Sequence, residues 1–583
     1  MRIINRLMKA LFPLLAALTV WTASAMLPGK NPREKMWLPE IERFAAQDSV
    51  DFPGVGKILF VGSSSIRTWK NIEQYFPGYD IVRRGVGGSH LEDIIYFSDR
   101  IVFPYKPRQI VLYEGDNDLK DGFTPERFLD DVKTFVRLVE LHSPGTEIIL
   151  LSVKPSPSRR HVEEKYLKAN ELMEAYAAGK EHVKYLDITA PLKDGDRYRA
   201  DMFHGDSLHV TPKAFREWAR IITPHLIPGP GSVSKLSTPE STPQTEALYA
   251  GLNRMVGNKT MFGHQDDTAY GVEWEETPGG SDVRAVCGDY PAVYGWEIGG
   301  IEHRRSENLD KVNFKQMKRL IREAYDRGGI NTISWHADNL VTGGNTWDLT
   351  GGNVVATLLP GGEHHAEFCR WLDRVAEFLA SLKGSDGESI PVIFRPLHEH
   401  TGSWFWWGRD FCSVDEYVAL WRQIVTYLRD VKGLKNVIYC YSPDRVRTEA
   451  EYLERYPGGE YVDLLGLDLY HFKGEEGLDE YRTCADRSLN VLQRVACREG
   501  KPFAFTETGL ESITMDNWFS EVLYPLVAKY KPAYVLVWRN SSRIENHFYA
   551  PYPGHASAAD FVKFKEKPSI LFNGDLQHMY ENQ

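Results

Sequence analysis

Residues 392–408 read VIFRPLHEHTGSWFWWG. The run opens as a strand, Val392 to Leu397, apolar but for Arg395, reaches a carboxylate at Glu399, and then places four aromatic rings in a row, Trp404 to Trp407. A strand that is largely apolar on both faces, rather than at every second residue, belongs to a covered parallel sheet. Seven runs of the same kind flank it, separated by helical patterns: Met261–His264, Ala292–Ile298, Thr332–His336, Val437–Tyr441, Asp463–Tyr470, Phe503–Glu507 and Tyr534–Trp538. Eight β/α units predict a closed (β/α)8 TIM barrel over residues 246–583, in which functional side chains leave the C-terminal ends of the strands.

Toward the N-terminus, residues 228–245 are dense in Pro, Ser, Thr and Gly, the composition of a linker. Before it, the apolar runs Lys57–Gly62, Asp80–Val86, Gln109–Tyr113, Glu147–Val153 and Tyr185–Ile188 alternate with helical stretches. That alternation predicts an α/β domain over residues 26–227, a three-layer α/β/α sandwich on a parallel sheet. Residues 1–25 carry Arg2, Arg6 and Lys9, an apolar stretch from Ala10 to Trp21 and then Ala23-Ser24-Ala25, the pattern of a cleavable signal peptide. The apolar stretch is broken by Pro13 and is shorter than the about 20 residues of a membrane span. An exported protein is expected, periplasmic or extracellular in a bacterium, with no membrane span after signal removal.

Composition narrows the function. Lys plus Arg is 69 and Asp plus Glu is 80, a net charge of −11 that argues against nucleic acid as a partner. Trp 15, Tyr 29 and Phe 27 amount to more rings than packing alone asks for, and sugar-binding clefts use such faces. The six cysteines are widely spaced without a C-x-x-C pair, which reads as buried free thiols rather than a disulfide framework. Cys484 and Cys497 fall on one helix, too far apart to bridge.

Glu399 closes barrel strand four and Glu507 closes strand seven, on opposite sides of a small barrel. Two carboxyl groups about 5–5.5 Å apart across a glycosidic bond support a retaining double displacement. The His398-Glu399-His400 triplet also raises a metal site. Adjacent strand residues point to opposite faces, and the H-E-x-x-H spacing is absent, so neither a metal nor a cofactor is expected. Trp296, Trp335, Trp406 and Trp407 read equally as core or as sugar contacts, and Arg395 is a candidate partner for Glu507.

RPLHEHTGSWFWWG, with FTETG, ISWHADN and DLLGLDLYH, resembles glycoside hydrolase family 26, the β-mannanase family. The resemblance implies Glu399 as acid/base and Glu507 as nucleophile, with His398 preceding the acid. It further implies that Tyr470 hydrogen-bonds the nucleophile, that His336 contacts substrate, and that Trp404 and Trp538 flank the cleaved sugar. The substrate implied is β-mannan or a related hemicellulose; a β-1,3-xylan or a mixed-linkage β-glucan remains the alternative.

In the first domain, strand one runs into Gly62-Ser63-Ser64-Ser65, strand two into Gly87-Gly88 and strand three into Glu114-Gly115-Asp116-Asn117-Asp118, while Asp206-Ser207-Leu208-His209 comes late. A hydroxyl, backbone and amide donors, and an Asp/His pair suit acyl transfer: His209 takes the Ser64 proton, Asp206 orients the imidazole, and Gly88 and Asn117 bind the oxyanion. The set resembles the SGNH (GDSL-like) hydrolase family. Ser63 stands where that family usually has Asp, which leaves the nucleophile open between Ser64 and its neighbours. An esterase joined to a mannanase-like barrel implies an acetylated hemicellulose as the shared substrate, with removal of carbohydrate O-acetyl groups by the first domain. The rival is a degenerate first domain that only binds carbohydrate.

Overall fold

The computed structural model describes residues 31–232, 235–576 and 579–581; the predicted signal peptide lies outside them. The chain divides into two compact units between Ile227 and Pro228.

The first unit is a five-stranded parallel sheet of β1 (Ile58–Gly62), β2 (Ile81–Gly85), β3 (Gln109–Tyr113), β4 (Glu147–Leu151) and β5 (Val183–Leu186), in the order β2-β1-β3-β4-β5. Alternate residues feed two separate cores. Leu59, Val61, Ile110 and Leu112 pack toward Phe135, Val139 and Tyr166, while Ile58, Phe60, Val111 and Tyr113 pack toward Phe215 and Trp218. Two cores on one sheet make the three-layer sandwich. β4 and β5 each end two residues before their apolar runs, because side chains take over the backbone groups there. Asn170 pairs with both the amide and the carbonyl of Val153, at 2.7 and 3.0 Å. Ser152 Oγ accepts the Ile188 amide at 3.0 Å, so β5 stops at Leu186.

The second unit is the barrel: β6 (Thr260–Gln265), β7 (Val293–Glu297), β8 (Ile330–Trp335), β9 (Val392–Pro396), β10 (Val437–Tyr441), β11 (Leu464–Leu465), β12 (Phe505–Thr508) and β13 (Tyr534–Val537). All pairings along the order β11-β10-β9-β8-β7-β6-β13-β12 are parallel. The ring closes through single bridges, Leu465 to Phe503, Asp468 to Glu507 and His471 to Leu510. Strand six, expected over Asp463–Tyr470, is thus two ladder residues followed by intermittent contacts that carry Asp468 and Tyr470 to the rim. A further strand, β14 (Ile570–Leu571), pairs in parallel with Thr260 and Met261 of β6. Ahead of the barrel, Ser237 donates from its amide and its hydroxyl to buried Asp463, at 2.6 and 3.0 Å. All six cysteines are free thiols, and Cys484 and Cys497 share the helix Leu478–Glu499.

Candidate active sites

Beyond β9 the chain makes a turn in which Leu397 and Glu399, neither a turn-former, both take positive φ, 49° and 53°. Such backbone persists only where its surroundings over-determine it. Three hydrogen bonds do so here: Tyr417 Oη donates to the Leu397 carbonyl at 2.9 Å, Trp407 Nε1 to the His398 carbonyl at 2.9 Å, and the Glu399 amide to the Ser442 carbonyl at 2.8 Å. The turn aims the Glu399 carboxyl at Trp404, whose Nε1 donates to it at 2.6 Å. Burial pushes the Glu399 carboxyl well above the usual range, and the charge of Glu507 adds to the rise.

Glu507, on β12, is held otherwise. Tyr470 Oη donates to its Oε2 at 2.8 Å, and Arg395 of β9 ion-pairs with its Oε1. Arg395 also reaches Asp468 Oδ2 at 2.8 Å and Ser442 Oγ at 3.0 Å. One guanidinium therefore bridges two buried carboxylates. Asp468 in turn accepts from Thr506 Oγ1 at 2.6 Å.

His336, just past β8, sets its Nε2 3.2 Å from the Nε2 of His398. Its other nitrogen faces Glu297, which ends β7, at 2.7 Å. Glu297 accepts as well from Ser334 Oγ and from the His336 and Gly299 amides, at 2.7, 2.8 and 2.5 Å. Burial works against a charge on His336, but Glu297 outweighs it and raises the imidazole, whereas burial and the neighbouring His336 push His398 down. At 3.2 Å the two Nε2 atoms make a hydrogen bond in which one donates and the other accepts. Trp538 closes this wall, its ring 6.5 Å from that of His336. Sequence reasoning missed Glu297 because the histidine it orients lies far along the chain; its place at a strand end was the available signal.

The open readings now separate. Trp296, Trp335, Trp406 and Trp407 are fully buried, and each indole N–H is spent inside the protein, so they are core; Trp404 is 39% exposed. His400 turns away from His398 into the interior, its ring 4.5 Å from that of Tyr417 and 4.8 Å from that of Tyr441. His398 and His400 thus do not converge on a shared ligand position.

In the first unit, β1 ends at Gly62 with φ +142°, where an added Cβ would stand 1.9 Å from the Tyr113 carbonyl oxygen. Only glycine fits, and the sharp turn presents Ser64 as the first residue of the helix Ser64–Thr68. Its Oγ lies 3.1 Å from His209 Nε2, and His209 Nδ1 lies 2.6 Å from Asp206 Oδ2. Ser63 and Ser65 are buried instead, so of the three serines Ser64 meets the imidazole. Partial burial opposes the charge on Asp206, but hydrogen bonds from the His209 ring and the Leu208 and His209 amides hold its carboxyl well below the usual range. Gly88 has φ +87°, and Asn117 Nδ2 donates to the Ser89 carbonyl at 3.1 Å. Behind them, buried Glu114 accepts from Ser89 Oγ at 2.5 Å, and burial raises it well above a normal carboxyl. This carboxyl, bonded to the residue that follows Gly88, was not singled out from the sequence.

Two family models match the chain, glycosyl hydrolase family 26 over residues 237–505 and the GDSL-like lipase/acylhydrolase family over residues 60–216. A solved GH26 β-mannanase from Bacteroides ovatus is 48% identical, covering 59% of this chain and 98% of its own, with a TM-score of 0.57. The chain belongs to glycoside hydrolase family 26. Its family 26 barrel follows a GDSL-like first unit. A mannan endo-1,4-beta-mannosidase of Bifidobacterium adolescentis is 35% identical over 363 residues, 58% of this chain and 36% of that protein. One of Bacillus subtilis is 30% identical over 269 residues, 44% of this chain and 68% of that one. The family 26 chain thus spans about a third of the length of the Bifidobacterium protein it matches.

Proposed function

We propose that the barrel hydrolyses β-1,4-mannan with retention, Glu507 as nucleophile and Glu399 as acid/base. The observation that carries this is the contrast between the two carboxyls. Glu507 is gripped by a guanidinium and a phenol that both donate to it, while burial favours the protonated form of Glu399. Protonated Glu399 gives its proton to the glycosidic oxygen as Glu507 attacks the anomeric carbon; Glu399 then deprotonates the water that releases the sugar. His336, oriented by Glu297, and Trp538 supply the contacts of the sugar held on Glu507. The names of the relatives favour mannan over xylan or mixed-linkage glucan. Glu507→Ala is expected to cut reducing-sugar release from mannan below about a thousandth; unchanged release would refute the assignment.

The first unit is proposed to hydrolyse O-acetyl esters on the same polysaccharide. Ser64 attacks the acetyl carbonyl, His209 takes the proton, and Asp206 fixes the imidazole. Gly88 and Asn117 are the proposed oxyanion donors. The linked Ser64, His209 and Asp206 support this reading over a domain that only binds. Acetate release from acetylated glucomannan, lost in Ser64→Ala, tests it; no release from any acetylated mannan by the intact protein would overturn it. Export rests on the pattern of residues 1–25, and N-terminal sequencing of protein recovered from the periplasm or medium checks it.

A further inference from the structure

Phe472 is 62% exposed, two residues beyond the tyrosine that holds Glu507. A single exposed ring is ordinary in itself, but this one stands at the rim of the proposed catalytic cleft on a rigidly held backbone. Its neighbour His471 is locked on every side. The His471 amide bonds the Gly509 carbonyl at 2.9 Å, Trp518 Nε1 donates to Nδ1 at 3.0 Å, and Nε2 meets the Gly474 carbonyl at 2.8 Å. The imidazole also stacks on Tyr481, with centroids 4.8 Å apart and planes 10° from parallel. On the far side the turn is tight enough that a Cβ at Gly477 would stand 1.8 Å from the Phe472 carbonyl oxygen. The ring is thus presented outward by a pinned backbone, 6.3 Å from the ring of Tyr470.

The space beside it is a cavity of about 240 Å³ bordered by Tyr470, Phe472, Arg445 and Glu480. A second cavity of about 430 Å³, bordered by Trp404, Asp444 and Arg447, shares Arg445, Glu480 and Cys484 with the first. The two adjoin at these three residues along the loops after strands four, five and six, an exposed indole bordering one and an exposed phenyl the other. Arg445 and Glu480, whose closest approach is 3.7 Å, offer donors and acceptors where they adjoin. Rings at the ends and charged side chains between them suit a chain of sugar units, whose faces are apolar and whose edges are hydroxyls.

Glu399 fixes the polarity. It gives its proton to the leaving oxygen, and the indole bonded to its carboxyl lines the second cavity, so the sugar that departs lies on this side. We propose that the groove from Trp404 past Arg445 to Phe472 binds the leaving-group portion of a β-linked manno-oligosaccharide, with Phe472 as the stacking platform for a sugar beyond the one next to the cleaved bond. The proposal rests on the mannan-hydrolase reading above. A pre-positioned ring costs little ordering entropy on binding, which is why a single platform is felt in affinity.

The test compares two substrates in the full chain. Mannohexaose places sugars in the groove, whereas 2,4-dinitrophenyl β-mannobioside departs as a phenol too short to span it. Phe472→Ala is expected to lower the ratio of kcat/KM for the hexaose to that for the aryl glycoside by about five- to tenfold, mainly through KM of the hexaose. Phe472→Trp should restore the ratio. An unchanged ratio overturns the proposal, whatever the absolute rates, because displacement of Tyr470 or partial unfolding would reduce both substrates together. Failure of the wild-type protein to cleave either substrate would instead overturn the mannan reading itself.

Discussion

Glu507 and Asp206 are the carboxylates to which the proposed reactions assign a part, and the two units support them by opposite means. Around Glu507 the side chains are sealed: Arg395 is 4% exposed, Asp468 0% and Glu507 4%. Around Asp206 they are open, with the carboxylate 49% exposed and His209 29%. In the barrel, charges removed from water are kept tolerable by one shared guanidinium, so reactivity and stability hang on the same contacts. In the first unit, local hydrogen bonds near the surface set the geometry, and the fold underneath does not depend on them. Loss of function should therefore be coupled to loss of stability in one unit and uncoupled in the other.

Arg395→Met attacks that contrast most directly. It leaves Asp468 and Glu507 buried without their cation and should cost the barrel about 3–5 kcal/mol, read as a lowered barrel transition in calorimetry of the full chain. Adding Glu507→Gln to Arg395→Met should recover part of that loss; no recovery would mean the pair is not the source. Ser64→Ala should abolish ester hydrolysis, by about 10³-fold or more, while leaving the first unit's unfolding within about 0.5 kcal/mol of wild type. A marked destabilisation there would erase the distinction. The smallest effect is the most specific. A raised Glu399 means the folded protein holds that proton more tightly than the unfolded chain, whose carboxyl titrates near about 4.3. Stability contributed by the protonated form is complete below that value and is lost as pH climbs through the folded pKa. Glu399→Gln should accordingly raise the barrel Tm by about 1–2 °C at pH 8 and leave it unchanged near pH 4.

Some of this was legible in the sequence. Continuous apolar runs marked the strands of both sheets, and runs ending in Glu399, Glu507 and His336 pointed to one rim of the barrel because strand direction alone decides which end a residue leaves from. Strand six was less legible. Asp463–Tyr470 is apolar enough for a full strand, yet it ladders only at Leu464 and Leu465 and then touches strand seven intermittently. What escaped altogether depends on distance along the chain. Glu297 orients a histidine 39 residues away, and Ser89 meets Glu114 across 25, so neither partner has a local pattern. Nor does anything in Leu397 or Glu399 announce a left-handed backbone; the turn is imposed by Tyr417, Trp407 and Ser442 from outside. The tryptophans show the limit of composition, since a ring count cannot say which indoles spend their N–H inside the protein.

The short strand Ile570–Leu571 leaves one more consequence. It pairs with Thr260 and Met261, among the first residues of the barrel to be made, and Tyr580 donates to the Gly329 carbonyl at 2.6 Å. During synthesis, β6 must wait for its last neighbour until nearly the whole second unit has been translated. Such long-range pairings fold late and slowly. A ribosome-bound barrel would therefore hold an unpaired edge through most of its production, and removing residues 570–581 should show first as a lower yield of folded protein rather than as a slower enzyme.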